Sequence, residues 1–234
     1  MKIAIMQPYI FPYLGYFQLI NSVDTFVIYD NIEYTKKGWI NRNRLVFNSK
    51  IEHFTINIVK DSDYLNVDER KVSPVFYDKE LNKILNKIKQ NYGKAPFFNE
   101  VFPFIKNIFT HKTENLYEYI YHSLISVVNY LEIETTVLKS SALDIDHKLK
   151  SADKVIAICK SLNAKIYINP IGGKELYQKE TFKKQGIDLY FIENELTPYA
   201  QFKNDFIPGL SIIDVLMFNS KEEVKEMLNQ YQLV

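Results

Sequence analysis

The sequence predicts an α/β fold of Rossmann-like type, a mainly parallel sheet that carries a helical insertion. Three observations predict it. An apolar run at the N-terminus is followed, within about 30 residues, by a loop, an amphipathic stretch and a second apolar run, the spacing of a β-α-β unit. The same alternation returns in the last third of the chain. Between them, residues 73–130 carry helical periodicity and no Gly/Ser-rich or charged tract sets them off, so they read as an insertion within a single domain spanning 1–234.

Taken in order, Lys2-Met6 is apolar and ends at Gln7-Pro8, a buried strand. Pro8 and Pro12 make Tyr9-Tyr13 a loop, because proline lacks a donor and fixes φ. Leu14-Asn21 follows as a helix and Thr25-Tyr29, β-branched and aromatic, as a second strand. Such a unit implies parallel pairing and a right-handed crossover. Arg44-Phe47 and Glu52-Val59 read as paired strands around an Asn48-Ser49-Lys50 turn. Leu81, Ile84, Leu85 and Ile88 mark a helix, and Pro96 and Pro103 are expected to separate successive helices. Thr136-Lys139 is a strand, Ser151-Leu162 a helix and Lys165-Ile168 a strand that runs into Asn169-Pro170-Ile171-Gly172-Gly173. Leu176-Gln185 reads as a helix stopped by Gly186, Asp188-Ile192 as the last strand, and Ser211-Phe218 and Lys221-Leu228 as closing helices.

Composition narrows the function classes. With 29 basic and 28 acidic residues the net charge is +1, so no broad field draws in polyanions and no DNA partner is expected. No run is long enough to span a bilayer, and Gln7 and Pro8 interrupt the N-terminal apolar segment too early for a signal-peptide core, so a cytoplasmic protein is expected. The single cysteine, Cys159, excludes an internal disulfide and lies in an apolar helical run, the setting of a core residue. His53, His111, His122 and His147 show no metal-ligand spacing, and no metal site is expected.

Ligands of an open parallel sheet bind beyond the carboxyl ends of its strands. That rule gathers Gln7 and Tyr9 after the first strand, Asp30 after the second, and Asn169 with Gly172 and Gly173 after the third. Glycines leading into a helix allow close backbone approach to a phosphate or carboxylate. A second cluster, Lys36-Lys37-Gly38-Trp39 with Asn41-Arg42-Asn43-Arg44, sets the only Trp among cations and amides. Arg42 suits bidentate recognition of an anion, with Trp39 or Tyr34 as a stacking face and Lys37 alongside. Each feature has a bland counterpart, a turn or a solvated edge. If acid-base chemistry occurs, Asp30 and Asp214 are the candidate catalytic carboxylates. Ser211, before the last helices, is placed as an N-cap or as part of the site, and Asp214 at the third helical position fits a capping role worth about 1 kcal/mol at most.

The residues also resemble a known family. Met6-Gln7-Pro8-Tyr9, Phe11-Pro12-Tyr13-Leu14-Gly15-Tyr16-Phe17, Tyr29-Asp30, Gly38-Trp39-Ile40-Asn41-Arg42-Asn43, Tyr167 to Gly173 with Leu176-Tyr177, and Phe206 with Pro208-Gly209-Leu210-Ser211-Ile212-Ile213-Asp214 are similar to the WbqC-like family, from residue 1 to about 220. The resemblance implies a role in bacterial O-antigen (lipopolysaccharide) biosynthesis. The activity it implies is an enzymatic transfer of an acyl or aminoacyl group, such as glycyl, from a donor to a nucleotide-linked amino sugar. No lysine lies in a pyridoxal-type motif, and no cofactor is expected; a homodimer is left open. Substrate contacts are expected from Gln7, Tyr9, Tyr13, Gly15, Tyr16, Tyr34, Lys37, Trp39, Asn41, Arg42, Asn169, Gly172, Gly173, Tyr177 and Ser211. A fainter resemblance links Tyr13-Leu14-Gly15-Tyr16 to the His-x-Gly-His motif of HIGH-type nucleotidyltransferases, with tyrosines in place of both histidines. It leaves an adenylyl- or nucleotidyltransferase relative, or a non-catalytic ligand-binding protein, as alternatives.

Overall fold

Strand β1 (Lys2–Met6) lies at the centre of the molecule because its side chains are apolar on both faces. Ala4 packs with one buried cluster while Ile3 and Ile5 pack with another on the opposite face, the alternation that a strand imposes. The computed structural model describes residues 1–48, 50–202 and 205–234; Ser49 of the expected hairpin turn lies outside them. β1 pairs in parallel with β2 (Thr25–Ile28) and with β6 (Ile166–Pro170). β5 (Thr136–Lys139) adds beyond β2, and β7 (Asp188–Asn194) beyond β6, both parallel. A short antiparallel strand, β8 (Tyr231–Leu233), closes the β7 edge. Among the described residues the sheet therefore runs β5-β2-β1-β6-β7-β8, six strands whose order reverses between β1 and β6. This is the mainly parallel, Rossmann-like arrangement read from the sequence.

Helix α1 (Leu14–Asn21) is buried over most of its length. The Gln18 side chain secures it by donating to the carbonyls of Met227, Gln230 and Glu195 at 2.8, 2.9 and 3.2 Å. On the opposite face α5 (Ser151–Ser161) and α6 (Lys179–Lys183) cover Val27, Tyr167, Leu189 and Phe191, with Cys159 fully buried among them. The antiparallel pair β3 (Arg42–Phe47) and β4 (Lys50–Thr55) stands apart from the main sheet. Between β4 and β5 come a π-helical turn (Phe76–Glu80) and helices α2 (Leu81–Tyr92), α3 (Phe98–Phe109) and α4 (Leu116–Tyr130). Their apolar faces belong to the cluster that also contains Ala4, Phe26 and Ile168. Helices α7 (Ile212–Phe218) and α8 (Lys221–Met227) lead to β8.

Four expectations are corrected. Pro103 does not separate two helices but lies inside α3; it is on the exposed face, so the Asn99 carbonyl it leaves without an amide faces solvent, and the break falls instead at residues 110–115. β4 stops at Thr55 rather than Val59, because β3 begins at Arg42; the chain then turns to bridge Ile58 to Val72. The glycine pair does not open directly into a long helix. Ile171–Gly173 form a 3-10 turn, and α6 starts only at Lys179, since Leu176 is 73% exposed and gives a longer helix nothing to pack. Finally, β7 is not the last strand: β8 pairs antiparallel to it, with Ile192 opposite Leu233.

Candidate functional site at the strand-order reversal

The reversal between β1 and β6 opens a cleft of about 350 Å³ at their carboxyl ends. Gln7 and Tyr9 leave β1 along one wall. Asn169, Pro170, Gly172, Gly173 and Tyr177 form the other, with Tyr29 and Ile32 across from them. Neighbouring strands diverge there to separate crossovers, which is why a crevice forms at this point and not elsewhere along the edge.

The amide of Asn169 is oriented from both sides. Tyr167 Oη donates to its Oδ1 at 3.0 Å, and its Nδ2 donates to the Pro170 carbonyl at 3.4 Å. A Cβ added to Gly173 would collide with that Nδ2, whereas one added to Gly172 would meet nothing within 4 Å. Gly173 is therefore required for the position of Asn169, and Gly172 is not. Among the described residues the cleft lining carries no carboxylate, imidazole, ammonium or guanidinium. Its ionisable groups are tyrosines, and burial raises Tyr9, Tyr29 and Tyr177 above the ordinary value of 10.0. They stay neutral at physiological pH and act as hydroxyl donors and flat apolar faces. Lys154 stands behind this wall. It is 3% exposed, its Nζ lies 4.5 Å from the centre of the Tyr29 ring, and burial holds its pKa below that of a free lysine.

Tyr9 also borders a second, smaller cavity of about 210 Å³, lined by Tyr13, Trp39, Asn43, Arg44, Leu196 and Gly209. Three chain segments are joined there. Asn43 Nδ2 donates to the Ile10 and Phe11 carbonyls at 2.9 and 2.6 Å, Arg44 Nε to the Gly209 carbonyl at 3.1 Å, and the Ile212 amide to the Pro12 carbonyl at 2.8 Å. The Pro208-Gly209 segment thus folds back onto the loop that follows β1. Trp39 is held between the Arg42 and Arg44 guanidinium groups, 5.9 and 5.7 Å from its ring, and the His53 ring at 5.8 Å.

The remaining expected contacts lie elsewhere. Tyr34, Asn41 and Arg42 line a third cleft, of about 650 Å³, beside the β3-β4 pair. Arg42 Nε and Nη2 donate to the Gly38 and Lys37 carbonyls at 3.0 and 2.6 Å, so the guanidinium clasps its own loop; the Lys37 side chain borders none of these clefts. Gly15 is packed against Tyr13 and Asn194, and Tyr16, 1% exposed, donates its hydroxyl to the Gln7 carbonyl at 2.7 Å. Ser211 caps α7 by accepting from the Ile213 amide, while its hydroxyl donates to the Phe11 carbonyl. Asp30 accepts from Ser140 Oγ at 2.8 Å, the Ser141 amide at 3.0 Å and Ser141 Oγ at 2.5 Å. Asp214 accepts from Tyr92, Tyr199 and Gln201. Both carboxylates are at most 2% exposed, and neither lines any of these three clefts. Among the described residues no group of three or more His, Cys, Asp or Glu is arranged to hold a metal ion, and no helix is long and apolar enough to cross a membrane.

With this geometry in view, the comparison with known proteins is direct: a model of the WbqC-like protein family matches residues 7–226. The chain belongs to the WbqC-like protein family. An uncharacterized protein of Mycobacterium tuberculosis (strain ATCC 25618 / H37Rv), Rv1507c, is 26% identical over 230 residues, covering 97% of each chain. No solved structure gives a significant match. In this WbqC-like chain, sequence reasoning missed three polar residues near the clefts. Lys154 had a signal, since it falls four residues before Ile158 on the buried stripe of α5. Tyr29 ends a strand and belongs to the family-like Tyr29-Asp30 pair, but it is not among the expected substrate contacts. Arg70, which lines the third cleft, follows a short turn (Val67–Glu69) and no periodicity marks it.

Proposed function

We propose that this WbqC-like protein transfers an acyl or aminoacyl group to the amine of a nucleotide-linked amino sugar, in the cleft between β1 and β6, as a step in making a bacterial surface polysaccharide such as O-antigen. The observation that carries the reading is the uncharged lining of that cleft. Side-chain amides from Gln7 and Asn169 suit sugar hydroxyls, and the tyrosine faces suit the C–H face of a sugar ring or a base. A lining without a general base fits attack by an amine on an already activated acyl group. The N–C bond forms as the donor's C–S or C–O bond breaks, and the amine's proton leaves with the thiol or alcohol. In this reading Asp30 and Asp214 hold the walls of the site and do not react.

The test has two stages. Nucleoside-diphosphate amino sugars are screened by thermal shift, where a ligand present at 100 times its Kd adds about 2.7 kcal/mol. Those that bind are incubated with acyl-coenzyme A, with aminoacyl-tRNA, or with amino acids and ATP, and the sugar is weighed by mass spectrometry. The expected result is a mass gain equal to one acyl group. Binding without any mass gain under all three donors would leave a ligand-binding protein, and pyrophosphate exchange with ATP alone would favour an adenylating enzyme.

A further inference from the structure

The third cleft contains a buried cation two of whose nitrogens have no hydrogen-bond acceptor. Arg70 is 2% exposed and lines this cavity of about 650 Å³, yet its Nε and Nη2 find no acceptor. Guanidinium cannot shed its charge in a protein, so a buried one without an acceptor is costly unless something supplies one.

The surroundings hold Arg70 in position but give its Nε and Nη2 no acceptor, although the Asp63 carboxylate lies within electrostatic reach. Its amide donates to the Val67 carbonyl at 3.3 Å and its carbonyl accepts from the Leu116 amide at 2.9 Å, pinning the backbone on both sides. The Tyr34 ring lies 4.8 Å from its guanidinium carbon. That ring is itself fixed, since Tyr34 Oη donates to Asn41 Oδ1 at 2.8 Å and Asn41 Nδ2 to the Ile56 carbonyl at 2.9 Å. The cationic head is thus stacked and oriented before any ligand arrives, which lowers the cost of binding one. Around it the cleft gathers Lys36, Arg42 and Lys60 against two carboxylates, Asp61 and Asp63, and Asp63 is already paired with Lys36 at 2.6 Å. The balance favours an anion with more than one charge, and the volume is that of a small-molecule site, larger than a lone ion requires.

We propose that this cleft binds a phosphoryl-bearing small molecule, with Arg70 as its anchor and Lys36 and Lys60 at its rim. The site is separate from the cleft between β1 and β6 and does not depend on the transfer reaction proposed there.

Pyrophosphate is the probe, with malonate as a dicarboxylate control, and binding is read by isothermal calorimetry and thermal shift on the full chain. Pyrophosphate is expected to bind saturably and more tightly than malonate. Arg70→Met should raise the thermal midpoint of the free protein, because a buried charge short of acceptors is removed, and should weaken pyrophosphate about 30-fold or more. Gly173→Ala, which perturbs only the other cleft, should leave pyrophosphate affinity unchanged. Should Arg70→Met fail to fold, Lys60→Ala, a change at an exposed side chain, is expected to weaken pyrophosphate about threefold. Absence of saturable binding, equal affinity for malonate, or affinity unaffected by either the Arg70 or the Lys60 change would overturn the proposal. So would loss of binding in Gly173→Ala, which would put the anion between β1 and β6.

Discussion

Tyr92 Oη donates to Asp214 Oδ2 at 2.7 Å, joining the end of α2 to the first turn of α7. Tyr199 Oη and Gln201 Nε2 reach the other carboxylate oxygen at 2.7 and 2.9 Å. Three donors converging on one acid indicate more than a helix cap. Asp214→Asn, which offers those donors one acceptor oxygen in place of two, is expected to cost about 2 kcal/mol in chemical denaturation. Burial raises the Asp214 pKa above its ordinary value of 3.8. The folded carboxyl therefore holds its proton more tightly than the unfolded one, so stability from Asp214 is greatest below that ordinary value and falls as pH rises through the folded value. The gap between wild type and Asp214→Asn should accordingly widen as pH is lowered from 7 toward 4. A constant gap would exclude a raised pKa.

Gly173→Ala should change ligand binding much more than folding. The colliding atom is the end of the Asn169 side chain, which can swing aside at little cost to stability. Its amide then no longer points into the cleft, and a ligand held by it should bind about tenfold more weakly. Gly172→Ala, with open space at the same point, is the matched control and should bind as wild type does.

Trp39 is the only tryptophan, and it lies against His53. Burial, then Arg42 and Arg44, lower the His53 pKa below 6.5. A protonated imidazole quenches indole emission, so fluorescence should drop on acidification with a midpoint under that value. Arg42→Ala removes one opposing charge and should move the midpoint upward. A midpoint that does not move would mean that the Arg42 charge does not reach His53.

Burial pushes the Cys159 thiol up to about 12. At pH 8 only about one part in ten thousand is thiolate, so native protein should resist iodoacetamide and Ellman's reagent, then react fully once unfolded. Prompt labelling of the folded chain would contradict the fully buried position of this side chain.

Much of the sheet was legible because periodicity is a local property. β1, β2 and β5 each announce themselves within a handful of residues, whereas the strand order, with its reversal between β1 and β6, is set by contacts between distant segments and had to be seen in the structure. The same local reading gathered Gln7, Tyr9, Asn169, Gly172 and Gly173, since strand ends can be read one at a time. It also gathered Asp30, which Ser140 and Ser141 hold outside the cleft. Tyr177 was expected only from the family resemblance. What stayed hidden depends on partners far away in the chain. Asp214 was visible as a carboxylate at a helix start, but nothing near it signals Tyr92, and its capping role was misjudged for that reason. Arg70 carries no pattern at all, because a cation short of acceptors is recognisable only when its surroundings are known. β8 is three residues long, too short for alternation to register.

The central position of β1 has a consequence for synthesis. β1 leaves the ribosome before the other strands of this sheet yet sits in its middle, and while β2 emerges almost at once, its other neighbour, β6, arrives only after the hairpin, the three helices of the insertion, β5 and α5 have been made. Until then one edge of an apolar strand has no native partner to pair with. Contacts between such distant segments are slow to form, and the nascent N-terminal half is exposed to mispairing for most of translation. Chains released before β6 should be sticky and rely on chaperones, whereas a circular permutant that begins at α5 would present β6, β7 and β1 in close succession and should reach the native sheet sooner.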